Sequence, residues 1–138
     1  MTPAAKFLRG HGLLLAGLGS LLFTATLVGR LGGGGMFAFL QQNTVAAIGF
    51  HEAYALIAFI GVAIAIGAGS NQLRPWQLLA ATVHLFLLTI NLTHWNFYAE
   101  LNMVAAGYAS SIAHLILAAA ELLLIDRNAA HRAQGANL

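Results

Sequence analysis

No cysteine occurs among the 138 residues of this chain. That removes disulfides, thiolate metal sites, iron–sulfur clusters and covalently attached c-type haem. Charge is nearly as scarce: Asp, Glu, Lys and Arg make up 7% of the residues against 59% hydrophobic, and the mean hydropathy is +0.79. A water-soluble domain carries about 25% charged residues to keep its surface wet, so this composition excludes one. The net charge of +2 is small and the basic residues do not cluster, which argues against a nucleic-acid partner. Hydrolytic chemistry finds no nucleophile elbow and no nameable Ser-His-acid set.

What the chain has instead is long apolar runs. Four of them approach the roughly 20 residues that cross a bilayer: Gly10 to Gly29, Thr44 to Ala68, Trp76 to Tyr98 and Met103 to Ile125. The first run exceeds the usual signal-peptide core and lacks an A-x-A site, so it reads as a retained span. Gly69-Ser70-Asn71-Gln72 and Arg74-Pro75 separate the second and third runs, with Pro75 suited to open a helix. Ala99-Glu100-Leu101-Asn102 forms a short turn before the fourth, and residues 126–138 form a polar, Ala-rich tail. The Gly32-Gly33-Gly34-Gly35 run reads as a flexible loop leading into a short interfacial segment, Met36 to Leu40. The expected fold is a single all-α transmembrane domain, residues 1–138, with four helices in an up-down antiparallel bundle.

Orientation follows from the basic residues. Lys6, Arg9, Arg74, Arg127 and Arg132 fall on one side and Arg30 alone on the other, which places both termini in the cytoplasm of a multi-pass protein of the plasma membrane. Trp76, Trp95, Tyr98 and Tyr54 fall near helix ends, where interfacial anchors sit.

Four of the six histidines fall inside the apolar runs: His51, His84, His94 and His114. Polar groups in lipid face a partner, a cofactor or a water-filled path. With a rise of about 1.5 Å per residue, His51 and His94 lie at one level near the outer surface and His84 and His114 at another near the centre. Two histidines at one level on different helices are what bis-imidazole ligation of haem b requires. The leading expectation is therefore a haem-b-binding electron-transfer protein or membrane subunit, with His51/His94 and His84/His114 as iron ligands. A quinone headgroup would find stacking surface at Trp95, Phe97 and Tyr98. A discrete metal site from His51, Glu52, His94 and Glu100 is a weaker arrangement, because Glu52 is rotated about 100° from His51.

Two other classes stay open. The histidines can serve as helix–helix hydrogen-bonding groups in an accessory subunit, packed into a homo-oligomer or larger membrane complex through Gly and Ala faces. Alternatively, His84, Asn91, His114 and Glu121 can form a proton pathway, with Asn91 and Glu121 as relay groups. Gly107, Ser111, His114, Ala118 and Glu121 share one face of the fourth helix, and His84, Asn91 and Trp95 one face of the third. His51, Ala55, Ala58, Val62 and Ala65 make an alanine-rich stripe on the second. His11 and His131 fall near the cytoplasmic ends, where solvation is expected.

Overall fold

A computed structural model describes the backbone of residues 1–135 and the side chains of residues 1–125. Every regular element among the described residues is helical: α1 (Pro3–Gly32), a short 3-10 turn (Ala38–Gln41), α2 (Thr44–Gly67), α3 (Arg74–Thr93), α4 (Trp95–Glu100) and α5 (Val104–Gly135). Four of these are long and apolar enough to cross a membrane: α1, α2, α3 and the Val104–Ile125 part of α5. The chain divides into two compact units, one running from Ala5 to Ser70 and the other from Asn71 onward.

In the first unit α1 and α2 run antiparallel with their backbones in contact. A Cβ built on Gly12 would lie 2.5 Å from the Ala65 nitrogen, and one on Gly19 would lie 2.6 Å from that of Ala58. Gly61 approaches the Ala16 backbone in the same way from the other helix. Between membrane helices, where burial of apolar surface gives little gain, such close approach of small residues is what generates packing energy. The α2 contact face therefore centres on Ala58, Gly61 and Ala65, while Val62 of the anticipated stripe is exposed.

The loop between these helices is held more firmly than its glycines suggested. Gly33 (φ +65°) and Gly35 (φ +73°) turn the chain through the left-handed region that glycine tolerates. Phe37 and Leu40 then bury themselves, packed with Phe39, Phe50 and Tyr54. Arg30 locks the arrangement by donating to the carbonyls of Leu40 and Gln41 and to Thr44 Oγ1 (3.1 Å). Asn43 caps α2 by accepting from the Ala46 N–H at 3.0 Å. His11 is a second departure. α1 starts at Pro3, several residues earlier than the apolar run, so His11 lies two turns inside it. It is 3% exposed rather than solvated, with the Phe7 ring edge-on at 5.9 Å.

In the second unit Pro75 occupies the first turn of α3, as expected. The helix anticipated as continuous from Trp76 to Tyr98 is broken at His94, whose φ of −109° and ψ of 33° are not helical. Thr89 and Thr93 explain the break. Their hydroxyls donate back to the Leu85 and Thr89 carbonyls at 2.9 Å, and the Thr93 hydroxyl also bonds to the Ile90 carbonyl. Such back-bonding competes with the helical ladder and bends it. α4 follows at once, and Asn102, at φ +55°, reverses the chain into α5. α3 and α5 then pack along most of their spans.

Candidate functional site

The contact between α3 and α5 is built from polar residues. Gln77, His84 and Asn91 recur every seven residues on α3, which returns to nearly the same face of a helix. All three are buried, at 1%, 1% and 8% exposure. α5 presents the stripe anticipated from its sequence: Gly107, Ser111, Ala118 and Glu121 are buried, and His114 is half-buried among them.

The centre of this contact is a direct bond between two imidazoles. His84 Nδ1 and His114 Nδ1 are 2.8 Å apart, with ring centroids at 5.1 Å and planes inclined by 36°. From His114 a hydrogen-bonded series runs toward α4. Ser110 Oγ lies 3.3 Å from His114 Nε2, Asn91 Nδ2 donates to Ser110 Oγ at 2.9 Å, and Tyr98 OH donates to Asn91 Oδ1 at 2.7 Å. The break at His94 makes the last bond possible, since it folds Tyr98 back over the end of α3. Trp95 stacks edge-on against Tyr108 (4.7 Å). Gly107 leaves room for Tyr98, whose ring would lie 2.9 Å from a Cβ at that position. Burial pushes the Tyr98 phenol above its ordinary pKa.

The series is satisfied throughout by one choice of tautomers. Ser110 Oγ already accepts from Asn91, so its own proton is available to His114 Nε2. With Nε2 accepting, neutral His114 carries its proton on Nδ1 and donates it to His84 Nδ1. Neutral His84 then carries its proton on Nε2. Each donor in the series hands its hydrogen toward the centre.

Two turns beyond the pair, about 10 Å along the helices, Gln77 and Glu121 stand at a common level by the antiparallel register. Glu121 is fully buried rather than extended toward the surface. The side chains of Arg127 and His131 lie outside the described residues. Gln77 Nε2 and Ser111 Oγ are buried with no hydrogen-bond partner among the described residues.

The remaining expected ligands are not part of this contact. His94 sits at the helix break, exposed, with Nδ1 bonded to Thr93 Oγ1 (3.0 Å) and to the Ile90 carbonyl (3.2 Å). His51 belongs to the first unit, its ring edge-on to Phe23 at 5.7 Å and its Nε2 buried without a hydrogen-bond partner among the described residues. Glu52 and Glu100 are exposed, and among the described residues no three His, Cys, Asp or Glu side chains converge as metal ligands would.

The His84–His114 pair can be tested against haem directly. Metal–imidazole bonds of about 2 Å place two trans nitrogens about 4 Å apart with a macrocycle between them. Nitrogens 2.8 Å apart and sharing a hydrogen leave no place for iron on that line. The two Nδ1 atoms are placed to share a hydrogen and not to hold an iron between them.

Gln77 escaped the reading of the sequence, and Ser111 was placed only as a member of the α5 stripe. The seven-residue spacing from Gln77 to His84 carried the signal for Gln77. Tyr98 was legible as an interfacial aromatic but not as a donor to Asn91.

The fold and this contact define an all-helical protein with four membrane-length helices and, between two of them, an imidazole pair with one ring buried and the other half-buried. No protein-family model, curated protein or solved structure matches the chain.

Proposed function

We propose that the second unit is an intramembrane proton-transfer element, with the His84–His114 pair as the group that holds and passes the proton. The observation that carries this reading is the 2.8 Å contact between the two Nδ1 atoms. Ionisable groups buried at membrane depth mark proton and ion paths, and here the two that meet are of the one type whose ordinary pKa is near neutral.

The transfer balances on the two rings alone. A proton arriving at His114 Nε2 makes that ring cationic. Its Nδ1 proton crosses the short bond to His84 Nδ1, and His84 releases its Nε2 proton. One proton enters, one leaves, and each ring ends as the other neutral tautomer. Rotation of the rings restores the starting state. Glu121, on the same face of α5 as His114, supplies a carboxyl level farther along the same column.

Histidines labelled with 15N, observed in lipid bilayers by solid-state NMR as the pH is lowered, test this. The expected result is uptake of one proton spread over the His84 and His114 signals together, and loss of this joint behaviour in His84→Asn. Two rings that titrate independently, each indifferent to replacement of the other, would overturn it.

The haem and accessory-subunit readings make different demands. A haem b held elsewhere on the chain would give a visible absorption band independent of His84 and His114. An accessory subunit would purify with stoichiometric partners. The cytoplasmic placement of both termini in a plasma membrane belongs with this proposal and rests on the distribution of Lys and Arg.

A further inference from the structure

The geometry points to Asn91 as an insulating plug that closes one end of the proton path while fixing the tautomer at its centre. This inference rests on the proton-transfer reading and adds a barrier to it: the entry atom of the pair, His114 Nε2, faces Ser110, and Asn91 insulates that entry from Tyr98.

Between Tyr98 and His114 the hydrogen bonds are continuous, through Asn91 and Ser110 at 2.7, 2.9 and 3.3 Å. Continuity of hydrogen bonds is not continuity of proton transfer. Tyr98 and Ser110 hydroxyls can each accept one proton and release another. The Asn91 amide accepts at Oδ1 and donates from Nδ2. To pass a proton it must first be protonated on a weakly basic carbonyl oxygen and then lose one from nitrogen. That leaves an imidic acid, which must revert before the next transfer. A carboxyl group at the same place accepts on one oxygen and releases from the other, with no high-energy tautomer. Proton relays through membranes accordingly use Asp, Glu and His.

Asn91 is also held where a plug is needed. It is 8% exposed, its Nδ2 donates to Ser110 on α5, and its Oδ1 accepts from Tyr98 on α4. Its donation to Ser110 turns the Ser110 proton toward His114 Nε2, which sets His114 as the Nδ1–H donor to His84. Asn91 thus acts on the pair as a positioning residue through Ser110.

The test is proton flux into liposomes containing the full chain, read with a trapped pH-sensitive dye under a potassium diffusion potential. The wild type is expected to conduct weakly. Asn91→Asp is expected to raise the flux by at least about tenfold, since a positioned proton-transferring group commonly contributes about 10²-fold or more. Adding His114→Ala should return the flux to the wild-type level. Asn91→Ser, smaller and neutral, provides a second opening should the aspartate disturb folding, with helicity checked by circular dichroism. Separately, 15N spectra of Asn91→Leu should show a loss of His114 tautomer preference with both helices intact.

Wild-type flux already equal to that of folded Asn91→Asp and Asn91→Ser overturns the plug. So does an increase that survives His114→Ala, because the leak then bypasses the pair. In either case an intact joint proton signal from His84 and His114 leaves the proton-transfer reading standing. If that joint signal is missing in the wild type, the reading and the plug fall together.

Discussion

At the scale of single residues, an imidazole in lipid has no water to bond to and must find its partner within the protein. A buried polar group without a partner loses its water hydrogen bonds and gains nothing in return. His84 and His114 solve this for each other, and Ser110, Asn91 and Tyr98 extend the solution toward the end of the span. In membrane proteins one such interhelical bond is worth about 0.6 kcal/mol, and at most about 2. A double-mutant cycle on His84→Ala and His114→Ala, followed by unfolding in detergent, is therefore expected to give a coupling of about 1 kcal/mol. Zero coupling would show that the rings do not share a proton in the folded state. Tyr98 gives a second prediction. Its phenol pKa is raised by burial, so on raising the pH the unfolded chain deprotonates first. The stability it supports is fully present below the ordinary phenol pKa and is lost as the pH rises through the higher folded value. Ultraviolet titration should place the Tyr98 midpoint above that of an exposed tyrosine, and Tyr98→Phe should remove that component.

At the scale of elements, legibility depended on which force set each boundary. The four spans were readable because apolar length against bilayer thickness is a one-dimensional quantity. The face of α5 was readable because small and polar residues recur there with helical spacing. The break at His94 was not, because it comes from Thr89 and Thr93 hydroxyls competing for backbone carbonyls within an otherwise apolar run. Treating α3 and α4 as one helix placed His94 inside the span and hid the return of Tyr98 to Asn91. The close contact of α1 and α2 was also hidden, since glycine spacing shows that an approach is possible but not which partner makes it. That contact yields a prediction. Gly19→Ile and Gly61→Leu would each drive a side chain into the opposite backbone, at 2.6 Å from Ala58 for a Cβ on Gly19. Each should destabilise the α1–α2 unit by about 1–3 kcal/mol, the usual cost of overpacking, whereas Gly17→Ala, which meets open space, should be nearly neutral. Chemical unfolding in detergent micelles distinguishes them.

At the scale of the whole molecule, composition excluded most function classes before any residue was singled out. The pairing of His84 with His114 at mid-span was legible from depth along the helices alone. Its contact geometry was not, since depth gives the level of each ring but not which nitrogens meet, and it is the two Nδ1 atoms that do so at 2.8 Å. The absence of cysteine makes the orientation accessible. Single cysteines introduced at Gly34 and at Gly69 should label with membrane-impermeant reagents from opposite sides, with Gly69 on the cytoplasmic one. Labelling of both from the same side would show that α2 does not cross. A visible spectrum of the purified protein, oxidised and then reduced, should owe no absorption band to His84 or His114. A band lost in His84→Ala would return these residues to iron.

The central claim is that these two rings share one proton, and it is tested most directly by the nitrogen–nitrogen coupling across their hydrogen bond. In uniformly 15N-histidine-labelled protein in bilayers, the account predicts a protonated His114 Nδ1 coupled through the hydrogen to an unprotonated His84 Nδ1, with the coupling abolished by His84→Asn. Two uncoupled rings, each in the ordinary mixture of neutral tautomers, would contradict it.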